Sequence, residues 1–276
     1  MSAECGARSG EIPHSAFYTP HFPGGTMRVL KIGGNELDDP GFLPLLAQWI
    51  GETAVHLHEQ FVIVHGGGHD IAMMQTRLGL HPKKVDGLRI TDADSLTVAQ
   101  MVLSGHTNKQ IVTTLLAGGV DAVGLSGVDG GLLRCEKKAH PTVDLGLVGE
   151  IVAVRTELLR QLAGLGITAV LSPISLGYDG RTYNVNADDA ASAVALALQA
   201  KQLDFISNVP GVLQDGRVLP QLTAVQTEQL IGQGIINGGM VPKVRGALTA
   251  VAQGVPQARI VNLTGLLQGG GTVFTD

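Results

Sequence analysis

Arg28-Val29-Leu30-Lys31-Ile32-Gly33-Gly34 and, further along, Phe61-Val62-Ile63-Val64-His65-Gly66-Gly67-Gly68-His69-Asp70 decide the fold. Each is a short, apolar, partly β-branched run that stops at glycines and leads into a stretch with helical apolar spacing. A strand that passes through a tight turn into a helix is half of a strand-helix-strand unit, and the pattern recurs. Residues 122–125, 169–172, 204–208 and 259–263 read as further core strands beside 28–32 and 61–65. Residues 42–59, 70–78, 93–103, 109–117, 156–165, 187–201, 227–233 and 243–253 carry i, i+3, i+4 apolar spacing and read as helices. The alternation predicts an α/β fold, a three-layer αβα sandwich with a mainly parallel central sheet. Short alternating segments across residues 132–154 predict hairpins laid over one edge. A division into two lobes falls near residues 198–204, without a Pro/Ser/Gly linker, so both halves are expected to share one sheet.

Composition narrows the function. The chain has 276 residues, 44% hydrophobic and 16% charged, enough to bury a sizeable core. Its formal charge of -5 has no long basic run behind it, which argues against a nucleic-acid or anionic-membrane partner and favours a small-molecule ligand. No stretch reaches the roughly 18 uninterrupted apolar residues of a membrane span. Cys5 and Cys135 stand far apart without CxxC spacing, as expected in a reducing, cytoplasmic compartment rather than a disulfide framework or zinc site. Residues 1–26 contain Pro13, Pro20 and Pro23 and no apolar h-region, so they read as a disordered extension and not a signal peptide.

Three glycine-rich turns carry the candidate chemistry. Lys31-Ile32-Gly33-Gly34 ends a strand ahead of a helix, where backbone N–H groups can take phosphate oxygens and a lysine sits at the edge on which open α/β sheets bind ligands. Gly66-Gly67-Gly68 repeats the arrangement, and two such loops on neighbouring strands can converge. Asn237-Gly238-Gly239-Met240-Val241-Pro242-Lys243 opens another helix and makes Lys243 a second phosphate clamp. Arg89 stands in Asp86-Gly87-Leu88-Arg89 and is suited to a bidentate grip on a carboxylate. Asn184 and Asn186 alternate in an extended segment before Asp188, more polar groups than one helix cap requires. His65 and His69 lack a third partner at metal spacing and read as packing or capping residues. GxxxxGK[ST] is absent, so a P-loop enzyme is excluded.

In this order the motifs resemble the amino acid kinase family, with its carbamate kinase-like fold, and within it the acetylglutamate kinase branch, across nearly all of residues 27–276. Gly105-His106-Thr107-Asn108-Lys109 and Val123-Gly124-Leu125-Ser126-Gly127-Val128-Asp129-Gly130 are similar to the same branch. The resemblance implies ATP-dependent phosphorylation of the γ-carboxylate of N-acetyl-L-glutamate, the second step of arginine biosynthesis, with Mg²⁺ on the ATP phosphates. It implies an N-terminal lobe (27–200) for acetylglutamate and dimerisation, and a C-terminal lobe (201–276) for ATP. Lys31 and Lys243 match the family's transition-state lysines, and Asp188 the aspartate that orients them. Gly66, Gly67, Gly68, Arg89, Asn184 and Asn186 match substrate contacts, and Gly33, Gly34, Asn208, Gly211, Gly239 and Met240 nucleotide contacts.

Two departures leave alternatives open. Asn208 stands where the branch usually has aspartate, as in lysine-pathway relatives that phosphorylate an aminoadipate derivative, N-acetylated or carried on a protein. A non-catalytic binding member of the fold is a further alternative, against which both lysines and Asp188 argue. The amphipathic N-terminal helix and long C-terminal signature of arginine-inhibited members are not evident, so an arginine-insensitive homodimer is expected.

Overall fold

Along β1 (Thr26–Ile32) the side chains alternate between two cores, Val29 on one face and Leu30 and Ile32 on the other, so the strand is covered by helices on both sides. The computed structural model describes residues 25–275. The chain continues through α1 (Phe42–Leu57), β2 (Glu59–His65), α2 (Gly68–Arg77), a small hairpin of β3 (Lys84–Val85) and β4 (Leu88–Arg89), and α3 (Ala93–Gln100). A π-helical stretch (Met101–Thr107) joins α3 to α4 (Asn108–Ala117), before β5 (Ala122–Ser126). Next come β6 (Leu133–Lys137), β7 (Val148–Val154), α5 (Thr156–Gly164), β8 (Thr168–Ser172), β9 (Ile174–Gly177), β10 (Thr182–Val185) and α6 (Ala187–Leu198). The last part holds β11 (Gln202–Ile206), β12 (Leu213–Gln214), β13 (Arg217–Val218), β14 (Gln221–Thr223), α7 (Ala224–Gly232), α8 (Met240–Ala252), β15 (Ala258–Val261), α9 (Leu263–Gln268) and β16 (Thr272–Thr275).

Eight strands form one sheet in the order β14-β16-β15-β11-β1-β2-β8-β5, parallel except for the β15–β16 pair. Both halves of the chain contribute to it, as the missing linker suggested. Val62, Leu203 and Ile260 join Val29 in the core beneath α5, α6 and α8. Phe61, Ile63, Ile206 and Val261 join Leu30 and Ile32 beneath α1 and α4. This is the expected αβα sandwich. Among the described residues no helix is long and apolar enough to cross a membrane.

Four features differ from the sequence reading. The hairpins expected over residues 132–154 are β6 and β7, but β9 and β10 join them in a closed four-stranded barrel, β10-β7-β6-β9. With four residues each, β9 and β10 are too short to show a period. The helices expected at 93–103 and 109–117 form one continuous run through the π-helical stretch. The helix expected to reach residue 59 stops at Leu57, because His58 turns left-handed at φ 53° and Glu59 already pairs with Thr26 in the sheet. Thr26 opens β1, and residues 1–24 of the expected extension, Cys5 included, lie outside the described residues.

At the N-terminal edge of the sheet lies an ionic ladder with no sequence signature. Asp204, fully buried, accepts from Arg28 Nε at 2.6 Å and Arg259 Nε at 2.6 Å, across three adjacent strands. Arg28 also donates to Glu59 at 2.9 Å and lies over the Trp49 ring, and Arg259 donates to the Gly270 carbonyl at 2.9 Å. Asp204 is the one carboxylate paired with Arg259 among the described residues, and it shares Arg28 with Glu59. Asp204→Ala is expected to destabilise the protein by about 3–5 kcal/mol, the range for removing one member of a buried ion pair, read as a lower urea midpoint.

Candidate active site

Three neighbouring strands, β11, β1 and β2, deliver their C-terminal ends to one cleft of about 410 Å³. This is where an open parallel sheet exposes unpaired backbone groups to a ligand. Lys31, level with Phe205 and Val64, projects to the α6 face, two residues on from Val29. Its Nζ lies 2.9 Å from Asp188 Oδ1. The contact has an ion pair's distance without a hydrogen bond's angles. Asp188 is held at the start of α6 by Asn186, whose Oδ1 accepts the N–H groups of Asp188 at 2.7 Å and Asp189 at 3.3 Å. The side-chain oxygen of Asn186 is therefore a helix cap, and only its amide nitrogen is left for a ligand.

Lys243 enters from α8 and donates to Ser207 Oγ at the end of β11. Burial pushes its ammonium pKa below the ordinary lysine value. The negative charge of Glu36 opposes that shift, Lys31 adds to it, and Asp188 opposes it. Two ammonium groups and two carboxylates thus act on one another within the cleft, arranged from four different segments.

The two glycine turns meet. A Cβ on Gly34 would stand 3.3 Å from Gly67 Cα and 3.4 Å from Gly68 N, so glycine at 34 allows the loops after β1 and β2 to touch. Arg89, at the end of β4, is 7% exposed, and no carboxylate pairs with it among the described residues. It is held instead by neutral oxygens: it donates to Gln75 Oε1 and, at 2.8 Å, to the Gly68 carbonyl. Gln75 in turn donates to Ser95 Oγ at 2.8 Å. Burial lowers the pKa of Arg89, and a guanidinium desolvated without a counter-charge is a ready partner for an anionic ligand. Asn184 donates to Thr91 Oγ1 at 3.3 Å, and Thr91 donates to the Arg89 carbonyl at 2.8 Å, which ties β10 to the arginine's own strand.

Lys31, Gly33, Gly34, Gly66, Gly67, Gly68, Arg89, Asn184, Asn186, Asp188 and Lys243 all line the cleft. Asn208, Gly211, Gly239 and Met240 do not. Gly239 caps α8 and Met240 is its first residue, whereas Pro242, Lys243 and Gly246 are the α8 residues that reach the cleft. Gly211, at φ 144°, lets the loop close on β16, where a Cβ would lie 2.6 Å from Thr272 Oγ1. Sequence reasoning missed Glu36 and Gln75, and gave Ser207 no role of its own. Ser207 had a signal in its place after an apolar strand. Gln75 and Glu36 had none, because their partners are brought in by tertiary packing. Among the described residues no cluster of three His, Cys, Asp or Glu side chains is placed to hold a metal ion.

Comparison with known proteins bears on the family and the fold. The model of the amino acid kinase family matches residues 26–262, from β1 to the residue after β15. An acetylglutamate kinase from Roseiflexus sp. (strain RS-1) is 51% identical over 248 residues, spanning 90% of this chain and 93% of that protein. Among solved structures, smu.665 from Streptococcus mutans UA159 has a TM-score of 0.76 at 30% identity, over 90% of this chain and 98% of its own. Carbamate kinase from Giardia lamblia has a TM-score of 0.65 at 15% identity, over 92% of this chain and 99% of its own, a likeness of fold alone. A parallel sheet that ends in two touching glycine turns beside paired lysines, matched over nine-tenths of its length, places this chain in the amino acid kinase family.

Proposed function

We propose that the protein transfers the γ-phosphoryl group of ATP to the γ-carboxylate of N-acetyl-L-glutamate, giving N-acetyl-L-glutamyl 5-phosphate and ADP, the second step of arginine biosynthesis. The observation that carries this reading is the charge layout of the cleft: Lys31 and Lys243 with Asp188 in one part, and the carboxylate-free Arg89 in another. A dicarboxylate acceptor has one anionic group for each. The extended match to acetylglutamate kinases supports the choice of acceptor.

The chemistry asks little of the protein beyond placement. A γ-carboxylate with a pKa of about 4.3 is ionised at neutral pH, so the nucleophile needs no general base. A carboxylate oxygen attacks the γ-phosphorus, the bond from phosphorus to the β–γ bridging oxygen breaks, and ADP leaves with the electron pair. Negative charge spread over the phosphoryl oxygens is met by Lys31 and Lys243 and by N–H groups of the two glycine turns. Asp188 keeps Lys31 aimed, and Mg²⁺ carried on the ATP phosphates would supply further positive charge to the transferring group. Arg89 takes the α-carboxylate, with Asn184 and the free amide nitrogen of Asn186 as further substrate contacts.

Residues 27–200 supply Arg89, Gly66 to Gly68, Asn184 and Asp188, which supports their assignment to the acceptor lobe. Residues 201–276 supply Ser207 and Lys243, which supports their assignment to ATP. The protein acts in the cytoplasm as an arginine-insensitive homodimer.

Three outcomes follow. Acyl phosphate trapped with hydroxylamine should form with N-acetyl-L-glutamate at least about tenfold faster than with N-acetylaminoadipate, since one methylene is worth some 10–200-fold. Preference for aminoadipate would transfer the protein to the other carboxylate kinases of the fold. Lys31→Ala and Lys243→Ala should each lower kcat by about a hundredfold or more. Light scattering should give a dimer whose activity millimolar arginine leaves unchanged, and a hexamer or strong inhibition would count against that assembly.

A further inference from the structure

His65 ends β2 and is fully buried, pointing with Phe61 and Ile63 to the α1 and α4 face and away from α6 and α8. Its ring makes two bonds. Nδ1 donates to the Gly66 carbonyl at 2.9 Å, and Nε2 accepts from Asn108 Nδ2 at 3.2 Å. Asn108 cannot be turned the other way: its nitrogen also faces the Val170 carbonyl at 2.9 Å, and its oxygen accepts from Lys109 Nζ at 2.8 Å. The Asn108 amide therefore sets the imidazole tautomer, with the proton on Nδ1. Burial holds the His65 pKa at about 4, the Gly66 bond opposing and the Lys109 charge assisting, so the ring is neutral at physiological pH.

In a trans peptide the carbonyl and the following N–H point in opposite directions. Tying the Gly66 oxygen to His65 on the α4 face turns the Gly67 N–H toward the α6 face, the side from which Lys31, Asp188 and Lys243 enter. The neighbouring groups are already committed: Gly66 N–H donates to Ile32 at 2.8 Å, and the Gly67 carbonyl accepts from Ile71 at 3.0 Å. Below the loop the π-helical stretch closes tightly, since a Cβ on Gly67 would lie 2.8 Å from Leu103 Cδ2 and 3.3 Å from Thr107 Oγ1. A flipped Gly66–Gly67 peptide would aim carbonyl lone pairs at the charge that phosphoryl transfer develops, reversing the sign of the contact.

We propose that His65 and Asn108 are positioning residues for phosphoryl transfer, locking the Gly66–Gly67 peptide so that the Gly67 N–H faces the reacting oxygens. The proposal rests on the reading of the cleft as a carboxylate kinase site. Neither side chain touches substrate; both act through the peptide they hold.

The test compares His65→Asn, whose amide nitrogen takes the place of Nδ1 and can still donate to Gly66, with His65→Leu, which fills the space without a donor. Kcat and both KM values are measured alongside thermal unfolding, and the tautomer of His65 in the wild-type protein is read from its ¹⁵N shifts. The expected result is an Nδ1–H tautomer, kcat reduced tenfold or more in His65→Leu with KM for ATP within about twofold, and kcat within about threefold of wild type in His65→Asn. Equal losses in both variants, full activity in His65→Leu, or an Nε2–H tautomer would overturn the lock. If His65→Leu does not fold, the tautomer and the His65→Asn kinetics still decide. Wild-type protein inactive on N-acetyl-L-glutamate would sink the acceptor assignment instead, and the tautomer would judge the lock separately.

Discussion

β1 lies between β11 and β2, parallel to both, and the register brings Ile32 level with Ile206 and His65. Parallel strands end on the same edge, so the turns after all three emerge side by side, with the unpaired backbone groups of each facing outward. Everything in the cleft hangs on that pairing. Lys31 and Gly34 come from the middle strand, the glycine triplet from one neighbour and Ser207 from the other. A slip of β1 by one residue would send Lys31 to the α1 and α4 core, where its charge would be buried without a partner.

The electrostatics of the cleft follow from what those strand ends meet. Lys31 and Lys243 repel, and their proximity is tolerated because Asp188 and Glu36 bring opposite charge into the same partly dried space. Arg89 is treated differently, fixed by Gln75 and Gly68 and given no counter-charge. A site with its cations held apart by its own carboxylates is set to receive the spread charge of a transferring phosphoryl group. An arginine without a carboxylate is set to receive a whole anion.

Rigidity is supplied from behind. The buried ladder of Arg28, Asp204 and Arg259 cross-links three strands near the sheet's other edge, far along β1 from Lys31. Nearer the site, neutral groups do the holding: His65 and Asn108 under one glycine turn, Gln75 and Ser95 behind Arg89. Neutral supports suit this position, because a further full charge beside the reacting oxygens would shift the balance between the lysines and the carboxylates.

The αβα sandwich, the two glycine turns, both lysines and the polar cluster with Asp188 were legible in the sequence because each announces itself locally, as an apolar run that ends in glycine or as a polar cluster that opens a helix, whereas Arg89 stood out only through its place in the ordered set of motifs. Strand, turn and helix are neighbours along the chain, and their periods survive in a few residues. Tertiary structure alone decided that Lys31 meets Asp188, that Ser207 receives Lys243, that Gln75 holds Arg89, and that β9 and β10 close a barrel. It also decided that Asn208, Gly211, Gly239 and Met240 stand outside the cleft, Gly211 being spent on a close approach to Thr272. The physical reason is that such contacts join residues distant in sequence, where neither partner's neighbours carry the period, cap or turn chemistry that would reveal the other.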